Sequence, residues 1–159
     1  MSSKISHQAT IYTDGSCHTK QFIGAWVAIL FIGEEKVVLT GVIPDTTHNR
    51  MELTAVIEGI KYIRYNYKSI KVVNIISDSQ YVIGISARKQ KLVSNNFITK
   101  KGTSIPNADL VTQLLELCEV VSVEFIKIKA HLKKIDLPNY NIEADQLSRK
   151  IVREAISKI

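Results

Sequence analysis

Residues 49–77 read NRMELTAVIEGIKYIRYNYKSIKVVNIIS. In this stretch Leu53, Val56, Ile57, Ile60 and then Ile63 or Arg64 recur with the 3.6-residue period of a helix that buries one face. Asn49-Arg50-Met51-Glu52 resembles a capping box at its start. Residues 70–76 follow as a nearly continuous apolar run, the pattern of a strand buried on both faces. A strand reached from earlier strands through a helix must run parallel to one of them, so the sheet is covered by helices.

Working outward, residues 8–13, 24–32 and 36–43 are β-branched and aromatic runs, with Gly33-Glu34-Glu35 as the turn between the second and third. Three short strands with tight connections make an antiparallel meander. Beyond the buried strand, a short helix is expected over residues 79–88, and residues 89–105 are polar, basic and unassigned. A helix opens at Pro106-Asn107 with Leu110, Leu114 and Leu117 on one face. Residues 121–130 form a last strand, and residues 141–157 a last helix with Ala144, Leu147, Ile151 and Ala155 as its inner stripe. The order is βββαβαα, or βββαβααα if the basic region is helical, then β and α. This is an α/β fold with a mixed five-stranded sheet, three antiparallel strands then parallel ones, flanked by helices.

The chain of 159 residues suits one domain over residues 1–159. At 45% hydrophobic and 23% charged it has the balance of a soluble protein with a real core. No apolar run approaches the length of a membrane span, and residues 1–10 carry no apolar signal region, so a cytoplasmic, non-membrane protein is expected. Cys17 and Cys118 lie far apart and fit two reduced thiols. A monomer is expected. Net charge is +6, and its distribution matters more than its size. Arg88, Lys89, Lys91, Lys100 and Lys101 form one group with no acid among them, and Lys127, Lys129, Lys133 and Lys134 form another. Each alone reads as a solvated face; together, flanking the acids described next, they favour a polyanionic partner.

Four acids fall at structural junctions. Asp14 ends the first strand, Glu52 lies in the first turn of the first long helix, Asp78 ends the buried strand, and Asp145 lies in the first turns of the last helix. Each also has an ordinary structural reading: an Asp14-Gly15 turn, a capping-box glutamate, an Asp78 helix cap, and an Asp145–Arg149 pair one turn apart. Taken together they gather at the strand ends, where ligands collect in α/β sheets. Crowded carboxylates repel one another and call for a compensating cation, and hard divalent ions such as Mg²⁺ take carboxylates plus substrate phosphate oxygens. The spacing points to metal-assisted phosphoryl chemistry and does not itself identify the substrate.

Thr13-Asp14-Gly15-Ser16, Asn49-Arg50-Met51-Glu52-Leu53, Ser77-Asp78-Ser79-Gln80-Tyr81-Val82, His131 after the last strand and Asn141-x-x-Ala144-Asp145 occur in this order over nearly the whole chain. In these motifs the sequence resembles the type 1 ribonuclease H family, and the resemblance implies an endonuclease that hydrolyses the RNA strand of RNA–DNA hybrids. By the resemblance, Asp14, Glu52, Asp78 and Asp145 hold two Mg²⁺ ions, with Mn²⁺ as a substitute. The ions clamp the scissile phosphate and leave 5′-phosphate and 3′-hydroxyl ends. His131 matches a histidine that helps proton transfer or product release; without the match it reads as a surface histidine. Asn49, Gln80 and the backbone around Ser16-Cys17 match the groups that read 2′-hydroxyls. Thr47 and Asn107 match residues that hold a DNA-strand phosphate; read alone, they are a loop hydroxyl and a helix cap. The stretch from Arg88 to Lys101, with Lys100 and Lys101, falls where many members carry a substrate-gripping protrusion.

The sequence departs from the family pattern around the substrate. Residues 18–23 replace a Gly/Pro-rich turn, with Lys20 near the place of an asparagine that contacts RNA. His48 stands where a second asparagine is common. The basic stretch has no tryptophan, and the segment from residue 132 to 140 is longer and lacks glycine. None of these touches a carboxylate. Two other readings are a resolvase- or transposase-like nuclease of the same fold and a hybrid-binding module without activity. The Asn-Arg-Met-Glu and Ser-Asp-Ser-Gln motifs weigh against the first, and retention of all four acids against the second.

Overall fold

The computed structural model describes residues 7–128 and 139–159. The chain order is β1 (Gln8–Cys17), β2 (Gly24–Ile32), β3 (Glu35–Ile43), α1 (His48–Asn66), β4 (Val72–Ser77), α2 (Gln80–Ala87), α3 (Lys89–Ser94), α4 (Ala108–Val120), β5 (Ser122–Lys127) and α5 (Tyr140–Ser157). The basic region is thus partly helical, as in the longer of the two orders expected. One five-stranded sheet runs β3-β2-β1-β4-β5, antiparallel across the first three strands and parallel from β1 through β4 to β5. The expected mixed sheet is the one observed.

Strand alternation divides the sheet into two faces. Ala9, Ile11, Ala28 and Leu30 point to the face covered by α1, where Leu53, Val56, Ile57, Ile60 and Ile63 are fully buried beside residues of α2 and α4. Val27 and Ile29 point the other way, onto Ala144 of α5 with Tyr12, Phe31, Leu147 and Ile151 around them. Because α5 lies across β1 and β2, the second face of β4 is only half-covered. Val73, Ile75 and Ser77 are buried while Val72, Asn74 and Ile76 are intermediate. The apolar run therefore overstates the burial of this strand.

Local chemistry moves several boundaries. Glu35 pairs with Ile32, so the hairpin loop is Gly33-Glu34 alone, with Gly33 at φ 58°, where glycine carries no steric penalty. The N-cap of α1 is Thr47, whose hydroxyl accepts from Arg50 N at 3.2 Å. Glu52 consequently sits in the second turn and takes no part in a capping box. Ser79, not Asp78, caps α2 by accepting from Val82 N. Asp14 does not end β1: the strand continues to Cys17 on β2, with Asp14 opposite Val27, and the Asp-Gly pair makes no turn. On α5 the buried stripe is Asn141, Ala144, Ser148 and Val152. Leu147 and Ile151 flank it, and two of its four members are polar.

Candidate active site

The two ladders of β1 end at different places. On the β2 side pairing continues to Cys17, but on the β4 side it stops at Tyr12 opposite Ile76. Residues 13–17 therefore keep one neighbour and leave a notch where β4 turns away, the usual ligand position at the carboxyl end of parallel strands. Asp14 faces the notch from β1, and Asp78 follows the last residue of β4. At Gly15 the first turns of α1 come against the strand: a Cβ there would lie 2.6 Å from Glu52 N and from Met51 C. That close approach delivers Glu52 beside Asp14.

One ligand oxygen from each of Asp14, Glu52 and Asp78 lies within 4.8 Å of the other two. Asp145 lines the same cleft from α5, with Gly15, Ser16, Cys17, His48 and Arg149; the cleft holds about 340 Å³. The Asp145–Arg149 pair forms, Nε to Oδ1 at 3.0 Å, and coexists with exposure of Asp145 to the cleft. A larger groove of about 940 Å³ lies between the C-terminal half of α1 and β3. None of the four acids lines it; all four line the smaller cleft.

Asp14 and Glu52 are 4% and 2% exposed, which for carboxylates demands compensation. Burial, reinforced by Glu52, Asp78 and Asp145 and opposed by a hydrogen bond from Ser148, pushes the Asp14 carboxyl up to about 9. Burial likewise raises Glu52, against the pull of His48. His48 Nε2 lies 3.1 Å from Glu52 Oε1, and that hydrogen bond raises the imidazole. Glu52 Oε2 is buried with no hydrogen-bond partner among the described residues. An all-oxygen donor set, an orphaned carboxylate oxygen and two buried acids held above their ordinary values fit a hard divalent cation.

These shifts give the metal-free protein a defined pH response. In the unfolded chain Asp14 releases its proton near pH 4, whereas the fold holds it up to about 9, so the native state binds an extra proton over that interval, and the raised Glu52 acts in the same direction. The charged His48 adds stability below its ordinary value that is lost as pH rises. All three act in one direction. In chelator, the thermal midpoint is expected to fall from pH 5 to pH 9, and Asp14→Asn to flatten that fall. A midpoint rising over the range would contradict the arrangement.

Of the remaining described residues expected from the sequence, only Ser16 and Cys17 line the cleft itself. The Cys17 thiol points to Thr46 O at 3.4 Å. Asn49 and Gln80 are exposed at the starts of α1 and α2, where the Gln80 amide oxygen accepts from Lys127 Nζ. Asn107 holds the N-cap position of α4 at φ 59° without a side-chain cap. Its side chain donates to Tyr81 Oη at 3.0 Å and accepts from Arg50 at 3.3 Å. Arg50 also forms a two-pronged pair with Asp109, at 2.9 and 2.8 Å, so the N-termini of α1 and α4, with Thr47 and Asn107, are tied together. Lys100 and Lys101 stand in a turn closed by Thr99 and Thr103. Lys89 of the same basic group is neutralised by Glu119 at 2.6 Å. His131, Lys129, Lys133 and Lys134 lie outside the described residues.

A mixed sheet with four acids lining the cleft where its parallel strands end describes a class of α/β fold rather than one protein. The RNase H family model matches residues 6–153. The Ribonuclease H of Caldicellulosiruptor saccharolyticus is 35% identical over 149 residues, 92% of this chain and 97% of the relative. That of Thermoanaerobacter sp. X514 is 37% identical over 145 residues, 90% and 88% of the two chains. That of Chlorobium limicola is 36% identical over 148 residues, 92% and 96%. The chain belongs to the RNase H family.

Proposed function

We propose that this protein hydrolyses the RNA strand of RNA–DNA hybrids as an endonuclease, with Asp14, Glu52, Asp78 and Asp145 holding the divalent ions. The observation that carries the reading is the three-carboxylate cluster within 4.8 Å at the open end of β1 and β4. Two Mg²⁺ ions, or Mn²⁺ in their place, held by these carboxylates would supply Lewis-acid charge at the scissile phosphate and lower the pKa of a bound water, and the expected products carry 5′-phosphate and 3′-hydroxyl ends.

The residues of the chain divide the remaining work. Arg149 and His48 hold Asp145 and Glu52 in place by charge. Asn49 and Gln80, exposed beside the acids, offer donors and acceptors to the 2′-hydroxyls that distinguish RNA from DNA, together with the backbone at Ser16 and Cys17. Thr47 and Asn107 face a phosphate of the DNA strand at the joined helix starts, and Lys100 and Lys101 grip the backbone further out. His131 serves proton transfer or product release, a role that rests on the sequence match.

The test is cleavage of a labelled RNA–DNA hybrid in Mg²⁺, beside RNA–RNA and DNA–DNA duplexes of the same sequence. Cutting confined to the RNA of the hybrid is expected. Cutting of DNA or of branched junctions would overturn the substrate, and tight hybrid binding without cutting would leave a binding module. Replacing Lys100 and Lys101 together by alanine is expected to weaken hybrid binding with little change in kcat. It should also reduce the slope of log affinity against log salt by about one to two. An unchanged slope would remove the two lysines from the interface.

A further inference from the structure

Ser148 lies on the buried stripe of α5 and is fully buried. A hydroxyl there is costly unless paired, and alanine would suit the helix better. Its Oγ lies 3.2 Å from Asp14 Oδ2 and 3.0 Å from the main-chain oxygen of Asp145 one turn back. The second contact is the ordinary back-bond of a helical serine. The first is not: it joins α5 to a carboxylate of β1 that is 134 residues away in sequence. A hydroxyl has one proton to give, and once a cation draws Asp14 into its ionised form that carboxylate is the stronger acceptor.

We infer that Ser148 is a positioning residue for the metal site, its hydroxyl fixing the Asp14 carboxylate while its own helix carries Asp145. The inference rests on the proposed role of Asp14 as a metal ligand. Ser148 ties down one Asp14 oxygen and so sets the plane of the carboxylate. Because it sits three residues beyond Asp145, the same turn of α5 supplies one ligand and orients another. The serine therefore contributes to the geometry of the site rather than to the stability of the fold. Partners that orient metal ligands act in this way, and their loss weakens metal binding roughly 10- to 100-fold.

The experiment measures Mn²⁺ binding by calorimetry and by electron paramagnetic resonance in the wild-type protein, Ser148→Ala and Asp14→Asn. Thermal midpoints without metal are measured alongside, with kcat and KM on hybrid at saturating Mn²⁺. Ser148→Ala is expected to bind Mn²⁺ roughly tenfold more weakly, with an altered resonance spectrum, lower kcat, unchanged KM and a metal-free midpoint no lower than wild type. Mn²⁺ affinity within twofold of wild type would overturn the inference. So would a loss of affinity matched by a lower metal-free midpoint, because the serine would then be a packing residue. Asp14→Asn is expected to bind far more weakly still. If it bound Mn²⁺ as the wild type does, the metal-site reading itself would fall, an outcome separate from failure of Ser148→Ala alone.

Discussion

Replacing Asp14 by asparagine is expected to reduce hybrid cleavage roughly a thousandfold or more while leaving the fold intact. The amide matches the carboxyl in volume, so no cavity opens against Val27 or α5, and Ser148 keeps an oxygen to donate to. What is lost is the charge. In the wild-type protein that charge is held back by burial and by three neighbouring acids, which push the carboxyl up to about 9. Its ionisation is worthwhile only when a cation is present to receive it. The variant should therefore be at least as heat-stable as the wild type in chelator above pH 7, and should gain less stability when Mg²⁺ is added. Circular dichroism melts with and without Mg²⁺, beside the cleavage assay, check both halves. Substantial Mg²⁺-dependent cleavage by the variant would remove Asp14 from the metal site.

Gly15→Ala is expected to destabilise the protein by about 2–4 kcal/mol. The added Cβ would lie 2.6 Å from Glu52 N and Met51 C and 2.7 Å from Met51 Cβ. Two of those atoms are backbone of α1, so no side-chain rotation relieves the clash and the helix must lift from the strand. In a chain of this size the loss corresponds to a fall in midpoint of roughly 5–15 °C. Activity should fall further than stability predicts, because lifting α1 carries Glu52 away from Asp14. Gly84→Ala is the control: nothing lies within 4 Å of its added Cβ, and in the interior of α2 it should stabilise by about 0.5–1 kcal/mol. Denaturant melts of the two variants test the contrast, and a Gly15→Ala protein within about 0.5 kcal/mol of wild type would refute the close approach.

The layer order and the four acids were legible because they rest on strong periodic signals. The period of α1, the apolar run at β4 and the parallel crossover they force are enough to bring Asp14 and Asp78 to one end of a sheet. What escaped the sequence is the work of residues whose patterns are ambiguous. Asp-Gly reads as a turn, yet β2 carries β1 through it. Glu52 three places after Asn49 reads as a capping box, yet the hydroxyl of Thr47, two residues further upstream, takes the cap. The apolar residues of α5 point to a stripe one position off the buried one, because the polar Asn141 and Ser148 occupy two of its places. Their spacing with Ala144 and Val152 is a helical repeat in its own right, and would have singled out Ser148 had polar residues been admitted to it. The part of Arg50 in joining α1 to α4 needs contacts between segments 59 residues apart, to Asp109, which no local pattern carries.

The anchoring of α5 has a consequence for how the protein can vary. Tyr140, at the first position of the helix, packs on Phe31 and Tyr12 with ring centres 4.4 and 5.4 Å away. Lys36 of β3 reaches Glu143 one turn on, and Ser148 meets Asp14 a turn later still. The place of Asp145 is thus tied to the strands beneath it. A change at Phe31 or Lys36, remote from the four acids in sequence, is therefore expected to be felt at the cleft as a displaced Asp145.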